Sequence, residues 1–256
     1  TQTRLLRIMS KAKGSVGDYD GALHGFAQAI EISNVLAKQF PTDFRVQRSV
    51  WLTHSMKCEL YIDKEDAVNG VGACLPTIDF PRLALEKEPE NGVDAYDLAI
   101  SHFNTARAYR FAGDHANTIA HAQEAMVVMS ALSKKTPENI EYIRNLAIYE
   151  TEIARASIKL RRFNEAGTIL KKVIETLTPI AAADPGTTTY RYDIAIANRL
   201  LAEVAFNKGN AAEAIEAMDK AIALIRQLKE IKAIRDTDSS LLDELERERT
   251  GYLAHD

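Results

Sequence analysis

The chain has 256 residues, of which 46% are hydrophobic and 27% charged, enough for a packed core and too apolar for a disordered segment. Its 32 basic and 36 acidic side chains are intermixed and leave a formal charge of −4; with no dense Lys/Arg run, this excludes the basic footprint of a duplex nucleic-acid binder. Only 12 Gly and 7 Pro interrupt a sequence rich in helix formers, no apolar run reaches the roughly 18–20 residues that span a bilayer, and no signal peptide heads the chain.

The first expected helix is Arg4–Ser15, which reads as the opening half of a helix pair whose preceding turn is lost; since the chain begins at Thr1 rather than Met, a fragment of something longer is expected. A permissive turn at Gly17 (GDYDGAL) leads into a second helix carrying Ala22, Ile30 and Leu36. Pro41 is its natural stop, because proline cannot continue the hydrogen-bond ladder.

The next unit opens with an ordinary helix, Arg45–Asp63, bearing the only tryptophan, Trp51. Its second helix should occupy 66–88, where the chain reads DAVNGVGACLPTIDFPRLALEKE. Gly70 and Gly72 each cost about 1 kcal/mol against Ala and an interior Pro76 about 3, so a straight helix is opposed by roughly 5 kcal/mol before Pro81 is counted. The expectation is a short helix to about Cys74, a break at Leu75–Pro81, and helix again over Arg82–Glu88. Such a break is either an irregularity that a stacked fold tolerates or a place where a loop widens a groove or meets another domain. Gly70 and Gly72 lack the third glycine, the lysine and the preceding strand of a phosphate loop, and Asp63, Glu65 and Asp66 lack the ligand alternation of a calcium loop.

From here the punctuation becomes periodic. Pro41, Pro89, Pro137 and Pro185 are each 48 apart. The turns at Gly17, Gly113, Arg161 and Gly209 are separated by 96, 48 and 48. First helices are expected over Asn91–Ala112, Ile140–Leu160 and Thr188–Lys208, with small residues at one register: Ala106, Ala154 and Ala202. Second helices are expected over Asn117–Lys134, Glu165–Ala183 and Ala211–Ile231. Ala166 and Ala214 repeat Ala22; Met126, Ile174 and Ile222 repeat Ile30; Leu132, Ile180 and Leu228 repeat Leu36. No such pair buries its apolar face alone, so neighbours must stack. After Ala233, where the next proline would fall, a segment over 238–254 with Leu241, Leu242, Leu245, Tyr252 and Leu253 on one side and charge on the other reads as a terminal cap.

These residues together predict an all-α, right-handed superhelical solenoid of about five antiparallel helix pairs plus a C-terminal capping helix. It is a single domain over 1–256, with units 1–40, 41–88, 89–136, 137–184 and 185–232. The sequence Ala106–Tyr109–Gly113 with Ala122 and Ala125, the run Tyr19–Ala22 with Phe26 and Ala29, and Gly209 with Ala214, Met218 and Ala221 resemble the tetratricopeptide repeat family. The family's usual unit is about 34 residues, so the second helices here are extended. Units of this length resemble those beside bacterial kinase, cyclase or transcription-regulator domains.

Chemistry is not expected. Among His24, His54, His102, His115, His121 and His255 no pair stands at a metal-ligand spacing, and His115 and His121, six apart, do not share a helical face. Cys58 stands at the register of Ala106, and Cys74 at that of Ala122, Leu170 and Met218. Both are expected as buried thiols, with a disulfide between them as the alternative. No nucleophile elbow accompanies the serines. No catalytic residue, cofactor or metal site is therefore expected, and a cytoplasmic setting is favoured, with a periplasmic one if a membrane segment precedes Thr1.

The resemblance implies a partner on the concave face built by first helices. Carried over by spacing, the groove positions are Phe103, Asn104 and Arg107, then Thr151, Arg155 and Lys159, then Arg199 with Glu203. Arginine forks there would grip carboxylates or phosphates. The alternative is a solvated face on which Glu150, Glu152 and Glu203 neutralise the cations. The family's chaperone-tail clamp uses Lys and Asn at these sites, and this sequence departs from it. The expected partner is a protein or peptide, with an acidic one fitting the arginines, or another domain of the same chain in a larger bacterial signalling protein; neither nucleic acid nor membrane insertion is expected.

Overall fold

The computed structural model describes residues 2–234 and 240–254. Among them the chain is α-helical throughout, with one 3-10 turn and no strand. It divides after Lys135 into two compact units.

The first unit contains α1 (Gln2–Ser15), α2 (Tyr19–Gln39), α3 (Phe44–Asp63), α4 (Ala67–Cys74), the 3-10 turn Leu75–Thr77, α5 (Asp79–Lys87), α6 (Gly92–Phe111) and α7 (His115–Lys135). The second contains α8 (Ile140–Lys159), α9 (Phe163–Ala183), α10 (Thr189–Asn207), α11 (Ala211–Glu230) and α12 (Leu241–Leu253). α12 lies within the segment expected as the cap, while the start expected at 238, like His255, lies outside the described residues.

Local chemistry sets the helix starts. Asp43, Asn91 and Asn139, spaced by 48, cap α3, α6 and α8 by accepting from the amides of Arg45, Val93 and Glu141 at 2.9, 3.0 and 3.1 Å. Inside each pair the chain turns through a left-handed residue: Gly17, Glu65, Gly113, Arg161 and Gly209 all have positive φ. Asp18, Asp66, Asp114 and Asn210, each next in sequence, then cap the second helix through the amides of Gly21, Asn69, Asn117 and Glu213. Glu65 and Arg161 adopt at φ 54° and 60° a geometry that glycine takes freely.

Close helix approach depends on small residues. Ala22, Ala106, Ala154, Ala166, Ala202 and Ala214 are fully buried. In the second unit Ala197, Leu200 and Val204 of α10 pack into the core formed by Ala154 of α8 and Leu170, Val173 and Leu177 of α9. Leu5 and Ile8, at the register of Ala197 and Leu200, are exposed on α1. Pro179 lies inside α9, which nevertheless continues to Ala183; α2, α5, α7 and α9 each end two residues before the 48-spaced prolines.

The irregular segment is built differently from the expectation at its C-terminal end. Helix resumes at Asp79 and not at Arg82, because Pro81 falls in the first turn of α5, where a missing N–H is tolerated. Pro76 sits in the 3-10 turn. Gly70 is buried, and a Cβ there would stand 3.5 Å from that of Ala108, so α4 lies close against α6; Gly72 faces open space.

The cysteines correct the expectation of free thiols. Cys58 and Cys74 are joined in a disulfide, with Cα atoms 4.9 Å apart. Their registers face each other inside a pair: Ala106 and Ala122, or Ala154 and Leu170, occupy the equivalent buried positions elsewhere. Facing positions of one tight contact bring the two side chains within the reach that a disulfide requires.

Candidate functional site

In the first unit, α1, α3 and α6 are successive first helices, and each places one charged side chain at the same register: Lys11, Glu59 and Arg107. Burial pushes the Glu59 carboxyl above the ordinary carboxylate range, Lys11 and Arg107 pull it back together with the neighbouring Asn104 amide, and Asp63 opposes them. The Arg107 guanidinium lies 6.0 Å from the Phe103 ring centroid. Thus Phe103, Asn104 and Arg107 do come together. Lys11 and Glu59 belong to the same cluster but are absent from the groove positions carried over by spacing. The signal was available, since Lys11 and Glu59 stand 96 and 48 residues before Arg107.

The second unit holds Thr151, Arg155, Lys159 and Arg199. Thr151 is half-buried and its hydroxyl donates to the Ala147 carbonyl within α8 at 2.8 Å. Lys159 pairs with Glu203 at 3.0 Å. Arg199 pairs with Glu248 and, at 3.6 Å, with Glu244 on the capping helix α12. Arg155 is half-buried on α8. Neutralisation therefore comes partly from other carboxylates than the sequence suggests: Glu150 pairs with Lys172 of α9, and the cap supplies the partners of Arg199.

Further ion pairs tie first helix to first helix. Arg48 reaches Asp97 at 2.8 Å, and Arg144 reaches Asp193 at 2.6 Å. Burial holds the Asp97 carboxyl above its ordinary range against the pull of Arg48. Each pair links two first helices of its own unit.

A second polar cluster joins α6 to α7. The Nδ1 atoms of His102 and His121 are 3.1 Å apart, one donating to the other, and Tyr109 stacks on His121. Burial depresses both imidazoles, His102 to about 4. His121 thus meets His102 on the neighbouring helix, a contact that the spacing between His115 and His121 does not reveal. Among the described residues no group of three or more His, Cys, Asp or Glu is arranged to hold a metal ion, and no helix is long and apolar enough to cross a membrane.

Residues 200–228, spanning the end of α10 and most of α11, match the tetratricopeptide repeat model. The crystal structure of BtubC (BKLC) from P. vanneervenii is similar at TM-score 0.59 and 16% identity, over 91% of this chain and 84% of that one. A thermophilic TPR protein of Thermus thermophilus matches at TM-score 0.46 and 16% identity, over 98% and 99% of the two chains. The TPR2AB domain of yeast Sti1, in its complex with pHSP90, matches at TM-score 0.29 and 17% identity, over 95% and 98%. No curated protein matches the sequence.

Proposed function

We propose that this chain, built of tetratricopeptide-type helix pairs, is a binding scaffold that grips a peptide or a protein surface along its first-helix face. The column Lys11–Glu59–Arg107 carries the reading, with Phe103 beside it. A carboxylate held partly out of water between two cations is a group whose environment a partner can improve, by adding a further donor to Glu59 or a carboxylate to Arg107.

In the second unit Lys159 and Arg199 already have carboxylate partners, so an acidic partner is drawn first to Arg107. Arg155, one period further on, is the corresponding residue of the second unit. The reading concerns recognition and not catalysis, and the partner is a folded surface or an extended peptide with an acidic residue beside an apolar one.

The test is selection of peptides from a random display library against the whole chain, followed by titration of the enriched sequences. Arg107→Glu is expected to weaken acidic clones at least tenfold, and Arg107→Lys to retain part of the affinity. Enriched peptides whose affinity ignores Arg107→Glu, Glu59→Gln and Arg155→Glu alike would place recognition elsewhere.

A further inference from the structure

A different face of α10 carries a groove that the first-helix reading does not use. α9 and α11 both pack on α10 and leave between them a cavity of about 740 Å³. Ile194, Asn198 and Leu201 of α10 line its floor, with Ile174 of α9 and Leu224 of α11 along its sides. At 100° per residue these floor positions are turned well away from Arg199 and Glu203. A second cavity of about 310 Å³ shares Lys171, Leu201 and Glu213 with the first and continues to Lys208. From Arg191 to Lys208 the pair follows α10 for about 26 Å at 1.5 Å per residue. That is too long for one small molecule and close to five turns of helix.

The charges along the groove are unequal in their partners. Lys171 pairs with Glu213 at 3.7 Å and Lys220 with Glu216 at 2.7 Å. Arg191, in the first turn of α10, has no carboxylate partner among the described residues. One of its Nη atoms donates to the Pro185 carbonyl at 2.7 Å, and its Nε is buried without a hydrogen-bond acceptor. Glu175 is exposed to solvent. A buried donor left unmade is costly, and a carboxylate brought to it is the chemistry that relieves the cost.

We propose that the groove between α9 and α11 receives an amphipathic helix from a partner protein. Its apolar residues, at i, i+3 or i+4, and i+7, lie against Ile174, Ile194, Leu201 and Leu224, and an acidic residue near one end meets Arg191. Such a helix packs on α10 at the ordinary interaxial distance of about 8–10 Å and continues the alternation of helices that builds the unit. This site rests on the fold alone and stands or falls separately from the first-helix face.

The test uses the full chain and a display library of helical peptides, about 18 residues long, randomised on one face of an Ala/Lys host. Clones are selected on wild type and counter-selected on Thr178→Trp, whose exposed position lets the indole fill the groove without entering the core. Enriched clones are expected to share the apolar spacing and a terminal Asp or Glu. They should lose at least tenfold in affinity against Arg191→Met, at unchanged thermal stability, and ignore Arg107→Glu. Failure to enrich any clone that distinguishes wild type from Thr178→Trp overturns the proposal, as do clones indifferent to Arg191→Met. Saturable binding of decanoate that depends on Arg191, with no clone enriched, would assign the groove to a small amphipathic carboxylate and equally overturn it.

Discussion

The indole N–H of Trp51 donates to the carbonyl of Thr77 at 2.8 Å, and the Ser101 hydroxyl donates to the same oxygen at 3.0 Å. That carbonyl is the one which residue 81 would satisfy in a continuous helix, four residues on, had it not been proline. Trp51, buried on α3 and stacked on Phe80, supplies the missing donor across the pair. The break in the second unit is thus braced from α3 and α6. Trp51→Phe keeps most of the volume but removes one of the two donors to a buried oxygen, and is expected to cost about 0.5–1.5 kcal/mol. In a Pro81→Ala background, where an amide can return to Thr77, the loss should shrink. Urea melts of the four proteins in this double-mutant cycle measure the coupling, and a loss that is the same in both backgrounds would refute it.

The Cys58–Cys74 bond closes a separation of 16 residues within one helix pair. A loop of that length corresponds to about 3 kcal/mol in the chain-entropy account. Reduction, or the double change to Ala, is therefore expected to lower the melting temperature measurably. Because Ala occupies the register of Cys58 in three other units, helix content by circular dichroism should persist. Coincident melts with and without reductant would contradict the bond.

Positive φ at Arg161 and Gly113 predicts opposite outcomes for two substitutions. Arg161→Gly relieves a left-handed conformation and should stabilise by up to about 1 kcal/mol, whereas Gly113→Ala should cost about 1–2 kcal/mol. Thermal melts of the two variants suffice, and a destabilised Arg161→Gly would show that the arginine side chain contributes more than its backbone strain removes.

Burial holds His102 at about 4, below its ordinary value of 6.5, with His121 also depressed. Since the folded form is the harder to protonate, the stability contributed by the neutral pair is complete above the unfolded value. It is lost as pH falls from about 6.5 toward 4. The melting temperature should drop through that window, and His102→Gln should flatten the drop. A slope unchanged by His102→Gln would assign the acid sensitivity to other groups.

Much of this architecture is local, and so legible in the chain. Side-chain caps at Asp43, Asn91 and Asn139, left-handed turns at Gly17, Gly113 and Gly209, and prolines two residues past four helix ends act within a few residues of where they stand. Buried alanines at one register then mark which helix faces meet. By the same register Lys11 and Glu59 could have been set beside Arg107, because equivalent positions on stacked helices form a column. The resumption of helix at Asp79 was harder to place, since a proline in a first turn and a proline after a break read alike.

What the sequence determined by itself was the series of helix pairs and the residues each pair turns inward, because hydrogen-bond capping, φ preference and apolar spacing are short-range. What only the tertiary structure decided was which distant groups share a contact: Cys58 with Cys74, His102 with His121, Trp51 with Thr77, Arg199 with the glutamates of the cap. Those contacts depend on how far one helix stands from the next and how each side chain is turned. Both follow from the packing of many residues together, which no spacing along the chain encodes.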